Sequence, residues 1–119
     1  MKVILSSLNN QGAEIDRQAL AQALRKKYPG CQLSIQDDEY LKNSMVFSIN
    51  TDALTGTVPQ DKRAIEIETE SPELGASFVL WCAKLMPKEF SVCLYNHSYE
   101  NCLLLTPETR EEDLRHRFE

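Results

Sequence analysis

Between Cys31 and Glu70 the chain alternates apolar and polar residues with a period of two, and it does so three times. Cys31, Leu33 and Ile35 alternate with Gln32, Ser34 and Gln36. Met45, Phe47 and Ile49 alternate with Val46, Ser48 and Asn50, and Ile65, Ile67 and Thr69 with Glu66, Glu68 and Glu70. Successive side chains of a strand point to opposite faces, so the pattern predicts three strands with one apolar and one wet side each. Thr55-Gly56-Thr57-Val58-Pro59-Gln60-Asp61 separates the second from the third and predicts a loop, by its Gly, Pro and Asp content.

Elsewhere the period is helical. Ala13 to Tyr28 carries Ile15, Ala19, Leu20, Ala23, Leu24 and Tyr28 on one side, with Glu14, Arg17, Gln18, Arg25 and Lys26 on the other, and Pro29-Gly30 ends it. Its last turn, Arg25-Lys26-Lys27, suits the negative end of the helix dipole. A second helix starts at Ser71 as N-cap with Pro72 in its first turn and stops before Pro87. Leu74, Phe78, Val79, Leu80, Trp81, Cys82, Leu85 and Met86 make it apolar nearly all round, so it must be covered on more than one side. Lys2 to Ser6 is a short strand with Val3, Ile4 and Leu5 buried on both faces, broken at Gln11-Gly12.

Ser91 to Tyr95 and Asn101 to Leu105 flank Asn96-His97-Ser98-Tyr99 and predict a hairpin. A symmetric loop sets residues whose numbers sum to 195 opposite each other, pairing Cys93 with Cys102. Thr106-Pro107, or Thr109 with Glu112 as a capping box, opens a last helix that can dock only through Leu114 and Phe118. The order is β-α-β-β-β-α-β-β-α. It describes one α+β domain over residues 1–119, with a mostly antiparallel sheet of five to six strands and helices on one face.

At 119 residues, 42% hydrophobic and 26% charged, the chain can bury a sizeable core without disulfides or metals. Its net charge of −5, from 18 acidic and 13 basic side chains, repels nucleic acid and favours basic partners. Met1 to Leu8 is too short for the apolar region of a signal peptide, and no run reaches membrane-spanning length, so a cytoplasmic location and no membrane contact are expected. Cys31, Cys82, Cys93 and Cys102 lack metal-site spacing and are expected as reduced core residues.

Two acidic clusters are the candidate site. Glu66, Glu68 and Glu70 form a row of carboxylates on one strand, and Asp37-Asp38-Glu39 precedes Tyr40 in a connection that also holds Leu41. As metal ligands or an acid/base pair the glutamates would need partners converging from other elements, and none lies beside them in sequence. A solvated strand face and a contact surface for a basic protein are the remaining readings, with Tyr40 as an aromatic anchor in the second. His97 and His116 have no partner at metal-ligand spacing, and a catalytic pair of Cys93 or Cys102 with His97 lacks an oxyanion hole. There is no phosphate-binding glycine loop, and no cofactor, metal or catalytic residue is expected.

Phe78-Val79-Leu80-Trp81-Cys82 on a helix, the break at Pro87, the compact hairpin, Thr106-Pro107 and the acidic helix Glu108 to Glu119 resemble small bacterial immunity proteins of contact-dependent growth inhibition and related polymorphic toxin systems. The resemblance covers Ser71–Glu119. It implies a non-catalytic cytosolic protein that binds the C-terminal domain of one cognate toxin, often a nuclease, and blocks its active site or access to substrate. Asp37, Asp38, Glu39, Tyr40, Glu66, Glu68 and Glu70 would then face a basic groove. The competing readings are a regulatory or scaffold domain that homodimerises through the apolar helix, and a small enzyme; either monomer or homodimer fits the first reading.

Overall fold

In the computed structural model, residues 2–7, 14–37, 39, 42–86, 91–96 and 102–118 are described. Strand β1 (Lys2–Ser7) leads into helix α1 (Arg17–Lys27), followed by four strands, β2 (Gln32–Gln36), β3 (Ser44–Ile49), β4 (Leu54–Val58) and β5 (Ala64–Thr69). Helix α2 (Pro72–Leu85), β6 (Val92–Asn96), β7 (Leu103–Leu104), α3 (Glu111–Arg115) and a 3-10 turn, His116–Phe118, complete the chain. The strands form one antiparallel sheet in the order β2-β3-β4-β5-β1-β6-β7. This is the α+β architecture expected, with seven strands.

The additional strand is β4, in the stretch whose Gly, Pro and Asp predict a loop. Gly56 is a packing residue there. A Cβ on it would overlap the ring of Phe47, its partner on β3, so the ring occupies the space that a side chain would take. Glycine in a strand commonly marks such a close approach. The strand keeps its alternation regardless, with Leu54, Gly56 and Val58 buried and Thr55 and Thr57 half-buried.

β1 lies between β5 and β6, and Val3, Ile4 and Leu5 are all buried, as a strand apolar on both sides requires. Val3, Leu5, Phe47, Ile65, Ile67 and Leu94 form one cluster with Leu20 and Leu24 of α1, Phe78 and Val79 of α2, and Leu114 of α3. All three helices therefore cover the same face of the sheet. Phe78 sits at the middle of an aromatic group, with ring centroids 5.7 Å from Phe47, 6.1 Å from Tyr28 and 5.6 Å from Trp81. α2 is thus enclosed by sheet, α1 and α3, and Leu85 is its strongly exposed apolar residue.

Local signals fix the helix ends. Ser71 Oγ accepts from Leu74 N–H as an N-cap should. α1 starts later than the apolar pattern predicts, because Asp16 accepts from Ala19 N–H and caps there, while Ile15 donates its N–H to the carbonyl of Lys62. Arg17 then ties the first turn of α1 to the sheet: Nη2 donates to the carbonyls of Asn43, Val58 and Pro59 at 2.5, 3.0 and 2.9 Å. α3 also starts late. Thr109 Oγ1 accepts from Thr106 N–H and closes a turn, and Asp113 takes the N–H of Arg110, so Thr109 and Glu112 do not make the expected capping box. The chain breaks predicted at Gln11-Gly12 and Pro87 lie outside the described residues.

Candidate functional site

The face of the sheet away from the helices is built from residues of the opposite parity on each strand. Strand pairing lines up Ser34, Val46, Thr57, Glu66, Ile4 and Tyr95 in one row across six strands. A second row runs Gln32, Ser48, Thr55, Glu68 and Lys2. A third holds Ala64, Ser6, Cys93 and Leu104. Neighbours in such a row stand roughly 5 Å apart.

Glu66 and Glu68 project from this face, and Glu70 follows β5 directly, exposed. Lys2 pairs across from Glu68, and its Nζ lies 3.9 Å from Glu66 Oε1. Both side chains of that ion pair are partly exposed, so it contributes at most about 1 kcal/mol. Among the described residues, one lysine for two carboxylates leaves this part of the face negative. Asp52, in the turn from β3 to β4, and Glu73, in the first turn of α2, belong to the same end of the sheet as Glu68 and Glu70, because Thr69 Oγ1 binds the carbonyl of Ala53 and Ser71 caps α2 beside it.

The second cluster sits elsewhere. Asp37 and Glu39 are exposed in the β2–β3 connection; Asp38, Tyr40 and Leu41 lie outside the described residues. β2 is three strand spacings from β5, roughly 14 Å. Moreover, Asp37 follows the Gln36 end of β2, whereas Glu68 and Glu70 belong to the opposite end of the sheet. Asp37 and Glu39 are therefore apart from Glu66, Glu68 and Glu70.

What the acidic row does share its face with is a patch that sequence reasoning missed. Ile4 and Cys93 point away from the helices yet are buried, and Tyr95 stands in the row of Glu66 with Ile4 between them. The β6–β7 register pairs Cys93 with Leu104 and Leu94 with Leu103, so partner numbers sum to 197. Cys102 therefore continues opposite Tyr95 and diagonal to Cys93, where the symmetric-loop expectation set the two cysteines directly across. The loop residues behind that expectation, including His97, lie outside the described residues.

Burial, and then contact with Cys102, push the Cys93 thiol up to about 11. Burial, and then the neighbouring Cys93 and Cys102, raise Tyr95 to about 12. Both stay protonated at neutral pH. Burial also raises Cys82 on α2. Cys82 and Cys93 are core residues as expected, while Cys31 is half-buried and Cys102 is exposed. Half-buried Tyr95 lies two strands from Glu66 and exposed Leu104 three, so the face carries charge on β5 and apolar groups towards its β7 margin.

A 140 Å³ cleft between α1 and the end of α2 is lined by Glu14, Ile15, Leu20, Ile65, Cys82 and Met86, and a 420 Å³ groove between α1 and β2 by Arg17, Arg25, Leu33, Ile35 and Met45. Among the described residues, no three His, Cys, Asp or Glu side chains are placed to hold a metal, and no helix is long and apolar enough to cross a membrane. Compared with known proteins, the chain matches no family model, no curated protein and no solved structure.

Proposed function

We propose that this protein is a non-catalytic cytoplasmic inhibitor that binds the C-terminal domain of a cognate bacterial toxin through the sheet face opposite its helices. What supports the reading is that Glu66 and Glu68 project from that face with one lysine beside them among the described residues, and that Glu66 shares its row with Tyr95. A nuclease presents a basic groove to phosphates, and rigid carboxylates can occupy such a groove while speeding encounter. Tyr95 and Leu104 supply the apolar contact that carries affinity once the partners meet. The strands fix these groups before binding, which keeps the entropy cost of association low.

The experiment uses the gene immediately upstream, which on this reading encodes a large secreted protein with a variable C-terminal domain. Co-expression of this chain should protect cells from that domain, and the two should co-purify. Growth arrest in the presence of correctly folded protein contradicts the proposal.

A further inference from the structure

Among the described residues, β2 is a sheet margin that carries none of the features with which strands usually block further pairing. Gln32-Leu33-Ser34-Ile35-Gln36 contains no charge and no proline, and it pairs with β3 in an unbroken register. Such a margin presents unpaired backbone groups along its length. The other margin, β7, is only two residues long.

The strand also reads alike in both directions: Gln, apolar, Ser, apolar, Gln. An antiparallel pair of two β2 strands with its two-fold axis at Ser34 sets Gln32 opposite Gln36 of the second copy, Leu33 opposite Ile35, and Ser34 opposite Ser34. Leu33 and Ile35 lie on the helix side, across from Phe47 and Met45 of β3. Ile35 is 56% exposed there, the most exposed large apolar residue described, and the pairing closes it against Leu33 of the other copy.

Charge selects the same partner. The Arg17 clamp on Asn43 and Val58 holds the first turn of α1 near the Gln36 end of β2, so the basic last turn, Arg25-Lys26-Lys27, belongs to the Gln32 end. Asp37 and Glu39 follow the Gln36 end and are exposed, with Lys42 beside them, while Asp52 stands near Gln32, so the Gln36 end keeps an acidic bias and the Gln32 end a basic one. Within one copy these opposite charges are separated by the length of the strand, roughly 16 Å. Antiparallel pairing brings the acidic end of each copy beside the basic end of the other, twice by symmetry.

We infer that a second copy of this chain docks along β2, joining two seven-stranded sheets into one continuous sheet. The contact is short, so the dimer forms in the micromolar range or above. It does not involve Glu66, Glu68 or Tyr95, and its test is independent of any toxin.

Sedimentation equilibrium of the full chain from about 5 to about 500 μM, a span that brackets a weak contact of this size, should show the mass rising from 13.6 kDa towards twice that value. Ile35→Lys, at an exposed position, should weaken the dimer at least tenfold with the fold unchanged by circular dichroism. In a Cys31→Ser, Cys102→Ser background, Ser34→Cys should form a covalent dimer with oxidised glutathione, and Gln32→Cys should not. A mass of 13.6 kDa at every concentration, undiminished dimerisation of Ile35→Lys, or cross-linking through Gln32→Cys in place of Ser34→Cys overturns the inference.

Discussion

The ring of Phe47 lies against the backbone of Gly56, so close that a single methyl group on the glycine would overlap it. Both residues are buried, and Phe78 closes the ring from the helix side. Gly56→Ala should therefore destabilise the protein by about 1–3 kcal/mol, the range for overpacking a core. Urea denaturation measures it. Phe47→Leu in the same chain should recover part of the loss, because the two sites share one space and their effects do not add.

Arg17 joins α1 to the sheet by three bonds from one nitrogen to main-chain carbonyls, while its Nε is buried without a partner among the described groups. Hydrogen bonds from charged donors contribute about 1.5–3 kcal/mol. Arg17→Gln should cost about 2 kcal/mol and should speed amide exchange at the start of α1 more than in β1. Equal acceleration in both would show that the clamp is not local.

Asn50, Thr51 and Asp52 all take positive φ in the turn from β3 to β4, at 50°, 54° and 64°. Asn and Asp tolerate that region, but Thr is β-branched and is strained there. Thr51→Gly or Thr51→Asn should therefore raise stability by about 1 kcal/mol, and the glycine variant gives back part of this through the entropy of its unfolded chain. Thermal melts of both variants check it.

Burial and then Cys102 raise Cys93 to about 11, against a smaller lowering by its hydrogen bond with Tyr95, and burial and then Cys93 and Cys102 raise Tyr95 to about 12. In the unfolded chain a thiol titrates near about 8.5 and a phenol near about 10. Between those values and the folded ones the unfolded chain has released protons that the folded chain keeps. Their contribution is thus complete at neutral pH and is lost as pH rises from about 9 to about 12. Melting temperature should hold level up to about pH 8 and fall above about pH 9, and Cys93→Ala with Tyr95→Phe should flatten the fall.

Most of the architecture is legible in the sequence because each strand and helix carries its own period. Val3-Ile4-Leu5 marks a central strand, Ser71 and Pro72 mark the start of α2, and the three alternating runs mark β2, β3 and β5. β4 is hidden by Gly56, whose chemistry is that of a turn residue although a ring on the next strand demands it. The candidate site is less legible, since alternation tells which residues share a face but not which strands are neighbours. Glu66 is visible as a surface carboxylate, but its alignment with Ile4 and Tyr95 exists only because β1 inserts between β5 and β6. The same lack of strand order makes the Asp37 and Glu68 clusters look like one surface. Cys93 and Tyr95 do share a period-two spacing, but what faces them depends on a hairpin register that differs from the symmetric one.

Carboxylates of the sheet face opposite the helices meeting a basic partner are the core of the proposed function, and association kinetics test this most directly. Stopped-flow mixing with the upstream-encoded toxin domain should show association slowing at least tenfold in Glu66→Lys, Glu68→Lys at low salt, with the difference shrinking as salt screens the charges. An unchanged association rate at low ionic strength would contradict it.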